Sequence, residues 1–219
     1  MHYRPLSESD AAAAAALEGY AFGYSPDPAQ FHAARLANYR GLVAGDTIVA
    51  QLELLPLAMH TGHGTAPFVG VASVAGAPET RRRGHVDALL RHAMEEQRAA
   101  GVPFCVLFPF KRSFYGRLGW ATMFERRVYT GPPAAFARFR PGPGHFAPAG
   151  EAEIPELDAV YTGALRGRFG PIARDAAWWR DKIFRTWDGK PNHVYLWRDE
   201  AGSPRAYLAF RFEGDGRAG

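Results

Sequence analysis

Polar and apolar positions along the chain recur with two different periods, and the switches between them mark the elements. Residues 2–6 read as a short strand. Ser7 or Ser9 is placed to cap a helix running through about residue 20, with Glu8 and Asp10 complementing its N-terminal dipole. Pro26, Asp27 and Pro28 then break the chain, and a second helix is expected through about Tyr39. Residues 41–44 and 47–59 read as a hairpin around Gly45 and Asp46, residue types that accept the positive φ of tight turns. His60 to Gly64 is a further turn, and residues 68–74 form a strand of apolar and small residues. The most regular helix spans 82–100, where Val86, Leu89, Leu90, Ala93, Met94 and Gln97 fall on one face and Gly101 is placed to end it. Residues 104–108 are a continuous apolar run, as expected of a central strand covered on both faces. A short helix over 112–118 ends at Gly119, and residues 120–130 predict a long strand.

Residues 131–150 hold five prolines and four glycines, so regular structure is not expected there and the segment reads as a linker. Helices over 154–168 and 174–185 follow, then strands over 193–198 and 205–212 around a turn at Ala201 to Pro204. That order of helix, helix, strand, turn, strand is also the order of residues 7–59, a weak internal repeat. The organisation this predicts is a first domain over 1–130, a linker over 131–150, and over 151–219 the opening of a second copy of the first domain. A piece of a longer protein and a protein that stops early both fit that tail. Trp178 and Trp179 are adjacent on a helix and face different ways, so at least one is expected to pack against the first domain.

Composition narrows the class. Of 219 residues, 47% are hydrophobic and 22% charged, which excludes a disordered chain. No apolar run approaches the ~18 residues of a spanning helix, so no membrane partner is expected. The first ten residues lack the basic and apolar pattern of a signal peptide. Cys105 is the single cysteine, so no internal disulfide is possible, and a reducing compartment, the cytoplasm, is expected. Net charge is −3 over residues 1–60, +7 over 61–140 and zero over 141–219. A local basic field of this kind suits the phosphates of a cofactor better than nucleic acid, which usually meets a broader basic face.

The centre of that basic region carries the chemistry. A strand ends at Val74, Ala75 and Gly76; Pro78 turns the chain; Arg81, Arg82, Arg83 and Gly84 open the amphipathic helix with His85 and Val86. A helix start presents backbone N–H groups without intrahelical partners, and its dipole favours an anion. Gly84 lets a phosphate approach the backbone, and the arginines add charge-assisted bonds. The arrangement reads as a pyrophosphate seat, against the plainer reading of a solvated basic helix start.

The stretch from Pro78 to Gly84 resembles the acetyl-CoA loop of the GCN5-related N-acetyltransferases (GNAT), written R/Q-x-x-G-x-G/A, with Val86 where the pattern has Gly or Ala. Three arginines and a glycine followed by two bulky residues are similar to the Eis-like (enhanced intracellular survival) branch. A second segment, Pro109-Phe110-Lys111-Arg112-Ser113-Phe114-Tyr115-Gly116-Arg117-Leu118-Gly119-Trp120, resembles that branch's PF-x-x-x-FY-x-x-x-G-[YW] pattern. The resemblance covers residues 1–130 well and 151–219 loosely. It implies an α/β (α+β) fold, a mixed and mostly antiparallel sheet flanked by helices, followed by a partial second GNAT-like domain. It further implies acetyl-CoA as co-substrate, with no metal, in the splay between strands 68–76 and 104–108. The backbone of Val74, Ala75 and Gly76 would bond the pantetheine arm, with one N–H polarising the thioester carbonyl. The N–H groups of Arg82, Arg83, Gly84, His85 and Val86 would hold the pyrophosphate, with Arg81 or Arg82 reaching the outer phosphates. A neutral amine would attack directly, with Tyr115 as general acid. Without the pattern, Tyr115 beside Phe114 and Trp120 reads rather as packed core.

In the Eis-like branch the base is the carboxylate at the end of a third, sterol-carrier-like domain, which residues 1–219 do not match, so no base is assigned. The acidic first 60 residues, with Glu18, Asp27 and Glu53, are candidates to attract a cationic amine. His60 and His63 lack a third ligand nearby and make a poor zinc site. Cys105 lies in an apolar strand, where its thiol is core. The leading expectation is an N-acetyltransferase acting on a primary amine, an aminoglycoside-like small molecule or a lysine. A non-catalytic acyl-CoA-binding module comes second and a nucleic-acid binder third. A homo-oligomer is expected from the family.

Overall fold

The structure is a computed structural model that describes residues 1–125, 132, 134, 142–185 and 192–211. It divides into two units, Met1–Ala58 with Ala66–Glu125, and Met59–Thr65 with the residues from 126 onward. In the first, β1 (His2–Pro5) leads through a helical turn into α1 (Ala11–Phe22), then α2 (Ala33–Leu36), β2 (Tyr39–Ala44), β3 (Thr47–Thr61) and β4 (Thr65–Gly76). The chain continues through α3 (His85–Ala99), β5 (Cys105–Val106) and α4 (Arg112–Gly116). Sheet neighbours follow chain order from β1 to β5. The β1–β2 and β2–β3 pairs are antiparallel, and β4 pairs with β5 in parallel. The expected mixed, mostly antiparallel sheet flanked by helices is therefore present.

Alternation along these strands sorts side chains into two cores. Leu42, Leu52, Leu54, Val69 and Val71 pack with Leu89, Leu90 and Ala93 of α3 and with Tyr115. Val43, Ile48 and Tyr39 pack with Ala14, Ala15 and Leu17 of α1 and with Phe31 and Leu36. Adjacent Leu42 and Val43 thus serve opposite faces, as the period of two requires.

The start of α1 follows from its sequence. Ser7 N–H and Oγ–H both donate to Asp10 Oδ2, at 2.8 and 2.9 Å, while the Arg4 guanidinium donates to both Asp10 oxygens at 2.7 and 2.8 Å. The second helix is shorter than expected. It ends at Leu36, and Tyr39 begins β2 opposite Glu53 with its side chain wholly buried. The third starts at His85, because residues 82–84 form a loop in which Arg82 and Gly84 have positive φ. The run 104–108 is not a strand covered on both faces. Only Cys105 and Val106 pair, and Phe108 is 87% exposed. Of the predicted strand over 120–130, residues 120–125 are not extended in a sheet and 126–130 lie outside the described residues.

In the second unit, β6 (His145–Pro148) precedes α5 (Ile154–Ala164), β7 (Phe169–Ile172), α6 (Ala176–Trp179) with a wider helical turn over Arg180–Phe184, β8 (His193–Arg198) and β9 (Pro204–Phe210). Two strands were not expected. Residues 145–148 pair with β8 although they lie in the proline- and glycine-rich segment, most of whose earlier part is outside the described residues. Residues 169–172 pair with Met59 and Thr61. Ile154, Leu157, Trp179, Val194 and Leu196 form a core. Trp179 is fully buried there and donates from Nε1 to Asp158 Oδ1 at 3.0 Å.

The Arg4 guanidinium and the Ser7 donors hold the Asp10 carboxyl well below its usual range, outweighing burial. A carboxyl depressed in the folded state contributes stability that is present above its unfolded value, near pH 4, and lost as pH falls. Asp10→Asn is expected to lower stability by about 1 kcal/mol at pH 7 and to flatten the acid limb of a melting-temperature profile between pH 5 and 2. An unchanged acid limb would exclude this pair from it.

Candidate active site

Strand β4 does not keep its alternation. Val69 and Val71 face the α3 core, yet Ala75 faces the α1 core, and Val74 packs on the α3 side. The change of face occurs at Ser73, which has φ 51°, a left-handed conformation that few residues other than glycine adopt. One additional residue at this point turns the rest of the strand over. Beside it, β4 and β5 part. Val69 pairs with Cys105 and Gly70 with Val106, and β4 alone continues to Gly76. Val74, Ala75 and Gly76 lie beyond that pairing.

The loop after β4 carries the predicted anion seat. Pro78–Thr80 is a single helical turn, Arg82 has φ 63°, and Gly84 caps α3 with φ 78°. The first amide returning into α3 is that of Ala88, bonded to Gly84 O at 3.0 Å. The N–H groups of His85, Val86 and Asp87 are therefore the unpaired amides of a 15-residue helix, where an anion is favoured. Arg81, Arg82 and Arg83 are exposed around them, with Arg81 resting over the Tyr20 ring at 5.4 Å. A Cβ on Gly84 would meet nothing within 4 Å, so its role is conformational rather than one of space.

Gly76 has the opposite reason to be glycine. A Cβ there would lie 3.0 Å from Val86 Cγ2. The bulky residue at the last position of the loop pattern is accommodated because the strand end it packs on has no side chain. Gly76→Ala is expected to destabilise by about 1–3 kcal/mol. Combined with Val86→Ala it should cost less than the two changes summed. Strict additivity in urea titrations would refute this contact.

Tyr115 stands on α4 and is 4% exposed, with the rings of Phe110, Phe114 and Trp120 against it at 5.5, 5.1 and 6.1 Å. Burial raises its phenol above the ordinary value. Cys105 is half-buried and its thiol is likewise pushed up by burial, as a core cysteine's would be. His60 lies edge-on to Tyr161 at 6.3 Å, and the described residues hold no group of three metal-ligating side chains.

A polar cluster that sequence reasoning only grazed sits on the α1 side of the sheet. Glu18 and Glu53 are 3% and 8% exposed. Glu18 accepts from the Tyr24 hydroxyl, from Tyr39 Oη at 2.5 Å and from Arg35 Nη2 at 3.2 Å. Arg35 also lies 3.6 Å from Glu53 and is bracketed by the rings of Phe31 and Tyr39 at 4.5 and 5.4 Å. Ser73 Oγ lies 3.3 Å from Tyr39 Oη and donates to Glu53 Oε2 at 3.4 Å. Burial alone would raise the Glu18 carboxyl, but the two phenols and Arg35 outweigh it and hold it low. Burial and the Glu18 bond push Tyr24 up to about 12 and Tyr39 up as well. Asp27 is not part of the cluster, since Oδ1 instead accepts from Ala29 N–H at 2.9 Å in an exposed turn. Arg35, Tyr39 and Ser73 carried no motif. The one signal was a serine interrupting the apolar run of β4.

Over residues 2–123 the sequence matches the family described as the acetyltransferase (GNAT) domain. The chain belongs to the GNAT acetyltransferase family. Similar proteins include an uncharacterized N-acetyltransferase of Streptomyces coelicolor, 33% identical over 121 residues, which are 51% of this chain and 28% of that one. Another from Streptomyces avermitilis is 29% identical over 124 residues, 53% and 30% of the two chains. The match thus spans less than a third of these relatives. Among solved structures, a GCN5-related N-acetyltransferase from Anabaena variabilis has a TM-score of 0.78 at 22% identity, covering 95% of this chain and 54% of that one. Eis1 from Mycobacterium abscessus has a TM-score of 0.61 at 20% identity, covering 90% and 53%. These structures share the fold, and the GNAT assignment rests on the family match.

Proposed function

We propose that this GNAT protein transfers the acetyl group of acetyl-CoA to a primary amine. The observation that carries the reading is that the end of β4 at Val74, Ala75 and Gly76, beyond its pairing with β5, leads through the arginine loop into the unpaired amides at the start of α3. These groups fit the co-substrate: bare backbone for an amide-bearing arm, then a helix start ringed by three arginines for a pyrophosphate. Bound there, acetyl-CoA supplies an acetyl group activated as a thioester. The N–H groups near Val74 polarise its carbonyl, and Arg81, Arg82 and Arg83 fix the phosphates. Tyr115 Oη holds the proton that a departing sulfur takes, and the raised phenol keeps it through neutral pH.

The Eis-like branch is the closest reading of the two loop patterns, with an aminoglycoside-like amine or a lysine as acceptor. The buried carboxylates Glu18 and Glu53 suit a cationic amine. The second unit fits the opening of another GNAT-like domain. Leu6 N–H bonds Tyr39 O at 3.1 Å beyond β1, and Ala149 N–H bonds Val194 O at 2.9 Å beyond β6. The order β6–β8–β9 then parallels β1–β2–β3. Use of acetyl-CoA fits the cytoplasm, and a homo-oligomer fits the branch.

The test is calorimetry with acetyl-CoA, followed by free-thiol release with spermidine, kanamycin and a lysine peptide. Binding with amine-dependent release is expected. Tyr115→Phe should lower kcat by about 10²-fold or more with acetyl-CoA affinity kept. The wild-type rate should show no alkaline fall below about pH 10, since burial moves the phenol up from its ordinary value. Binding without turnover on any amine would favour a non-catalytic acyl-CoA module, and absence of binding would end the reading.

A further inference from the structure

The described residues leave one step of that reaction without a group: removal of the proton from the attacking amine. The cluster behind β4 supplies one. Glu18 cannot serve, because three donors already occupy it and hold it ionised. Glu53 is as deeply placed, yet its contacts are long: 3.4 Å to Ser73 Oγ and 3.6 Å to Arg35 Nε. A carboxylate has about four acceptor positions, so Glu53 is a buried carboxylate with unspent capacity. The left-handed φ of Ser73 directs its hydroxyl toward Glu53 rather than into the α3 core. Ser73 is also the residue before Val74, where the parted strand presents its backbone. A strained conformation persists where its surroundings over-determine it, and such residues gather at functional sites.

We propose that Glu53, acting through Ser73 Oγ, is the proton acceptor for the incoming amine. The proposal rests on the acetyltransferase reading. As the amine nitrogen bonds the acetyl carbon and the carbon–sulfur bond breaks, the sulfur electron pair takes the proton of Tyr115 Oη. The proton on nitrogen passes to Ser73 Oγ, whose own proton moves to Glu53 Oε2. Solvent then restores the Tyr115 and Glu53 forms. Ser73 is the group that touches the amine, and Glu53 positions and drains it. The charged and titratable groups facing Glu53 are Arg35 from α2, Tyr39 from β2 and, through them, Glu18 and Tyr24 from α1 and the loop after it. With two carboxylates around one guanidinium, the cluster has a net charge that favours accepting a proton.

The test compares wild type, Glu53→Gln and Ser73→Gly with spermidine, kanamycin and the lysine peptide from pH 6 to 10. Glycine adopts the φ of residue 73 without strain, so the second variant removes the hydroxyl alone and decides the matter if Glu53→Gln does not fold. Both variants are expected to bind acetyl-CoA like wild type by calorimetry. Both should lose about 10²-fold in kcat/KM at pH 7. The loss should narrow toward pH 10, where hydroxide can take the proton in place of the missing relay. A purely structural role would give a loss that does not change with pH, and that outcome overturns the proposal. A second readout needs no turnover. In protein carrying carboxyl-¹³C glutamate and no acetyl-CoA, added spermidine should shift the Glu53 resonance and leave Glu18 in place. An unmoved Glu53 signal counts against the assignment. If wild type turns over amines while Glu53→Gln keeps its rate and pH profile, only this inference fails. If wild type binds or turns over nothing, the acetyltransferase reading fails with it.

Discussion

Strand β4 feeds two cores, one under α3 and one under α1, and the left-handed residue at Ser73 is what lets a single strand do so. Before it, Val69 and Val71 close the α3 side; after it, Ala75 closes the α1 side. An unbroken strand would drive Ser73 into the larger apolar core, where a hydroxyl without a partner costs about 1–3 kcal/mol. The break instead sets the hydroxyl among polar side chains. Pairing to β5 is made at Val69 and Gly70, just before this break, and the polar cluster gathers at the break itself.

The cluster on the α1 side also explains why so much ionisable material is tolerated inside a small unit. Two buried carboxylates meet one partly buried guanidinium, and each is bonded or paired within the group. Arg35 lies against two aromatic faces, which suits a weakly hydrated planar cation. Tyr39 is the hinge of the arrangement. Its backbone starts β2 and its phenol meets Glu18, Arg35 and Ser73. Another charged group serves a different purpose. Arg40 pairs with Glu96 at 2.7 Å, and Tyr3 Oη donates to the same carboxylate at 2.5 Å, tying α3 to β1 and β2. Similar chemistry thus appears twice in the first unit, once across the site side of the sheet and once as a tie between elements.

Much of this was legible in the residues. The period of α3 placed Leu89, Leu90 and Ala93 in the core, and Gly45 placed the β2–β3 turn. The order of strand, arginine-rich loop and helix marked the anion seat, because helix-start chemistry is local and needs only a handful of consecutive residues. The shorter second helix and the wholly buried Tyr39 were not legible, since pairing with Glu53, fourteen residues away, overrode local helix preference. Likewise β6 formed in a segment dense in proline and glycine because β8 offered a pairing edge, which no local pattern records. Trp179, one of two adjacent tryptophans, completes the core of Leu157 and Leu196, residues whose partnership no local pattern records.

By itself the sequence determined which residues could carry this chemistry and where the chain turns: the three arginines, Gly84, Tyr115, and a middle region with surplus positive charge. Those are properties of neighbours in the chain. Only the tertiary structure decided that Glu18, Arg35, Tyr39, Glu53 and Ser73 meet, and that Gly76 makes room for Val86. The reason is that their meeting depends on one reversal of face within β4 and on the register of strands far apart in sequence, and neither leaves a periodic trace along the chain.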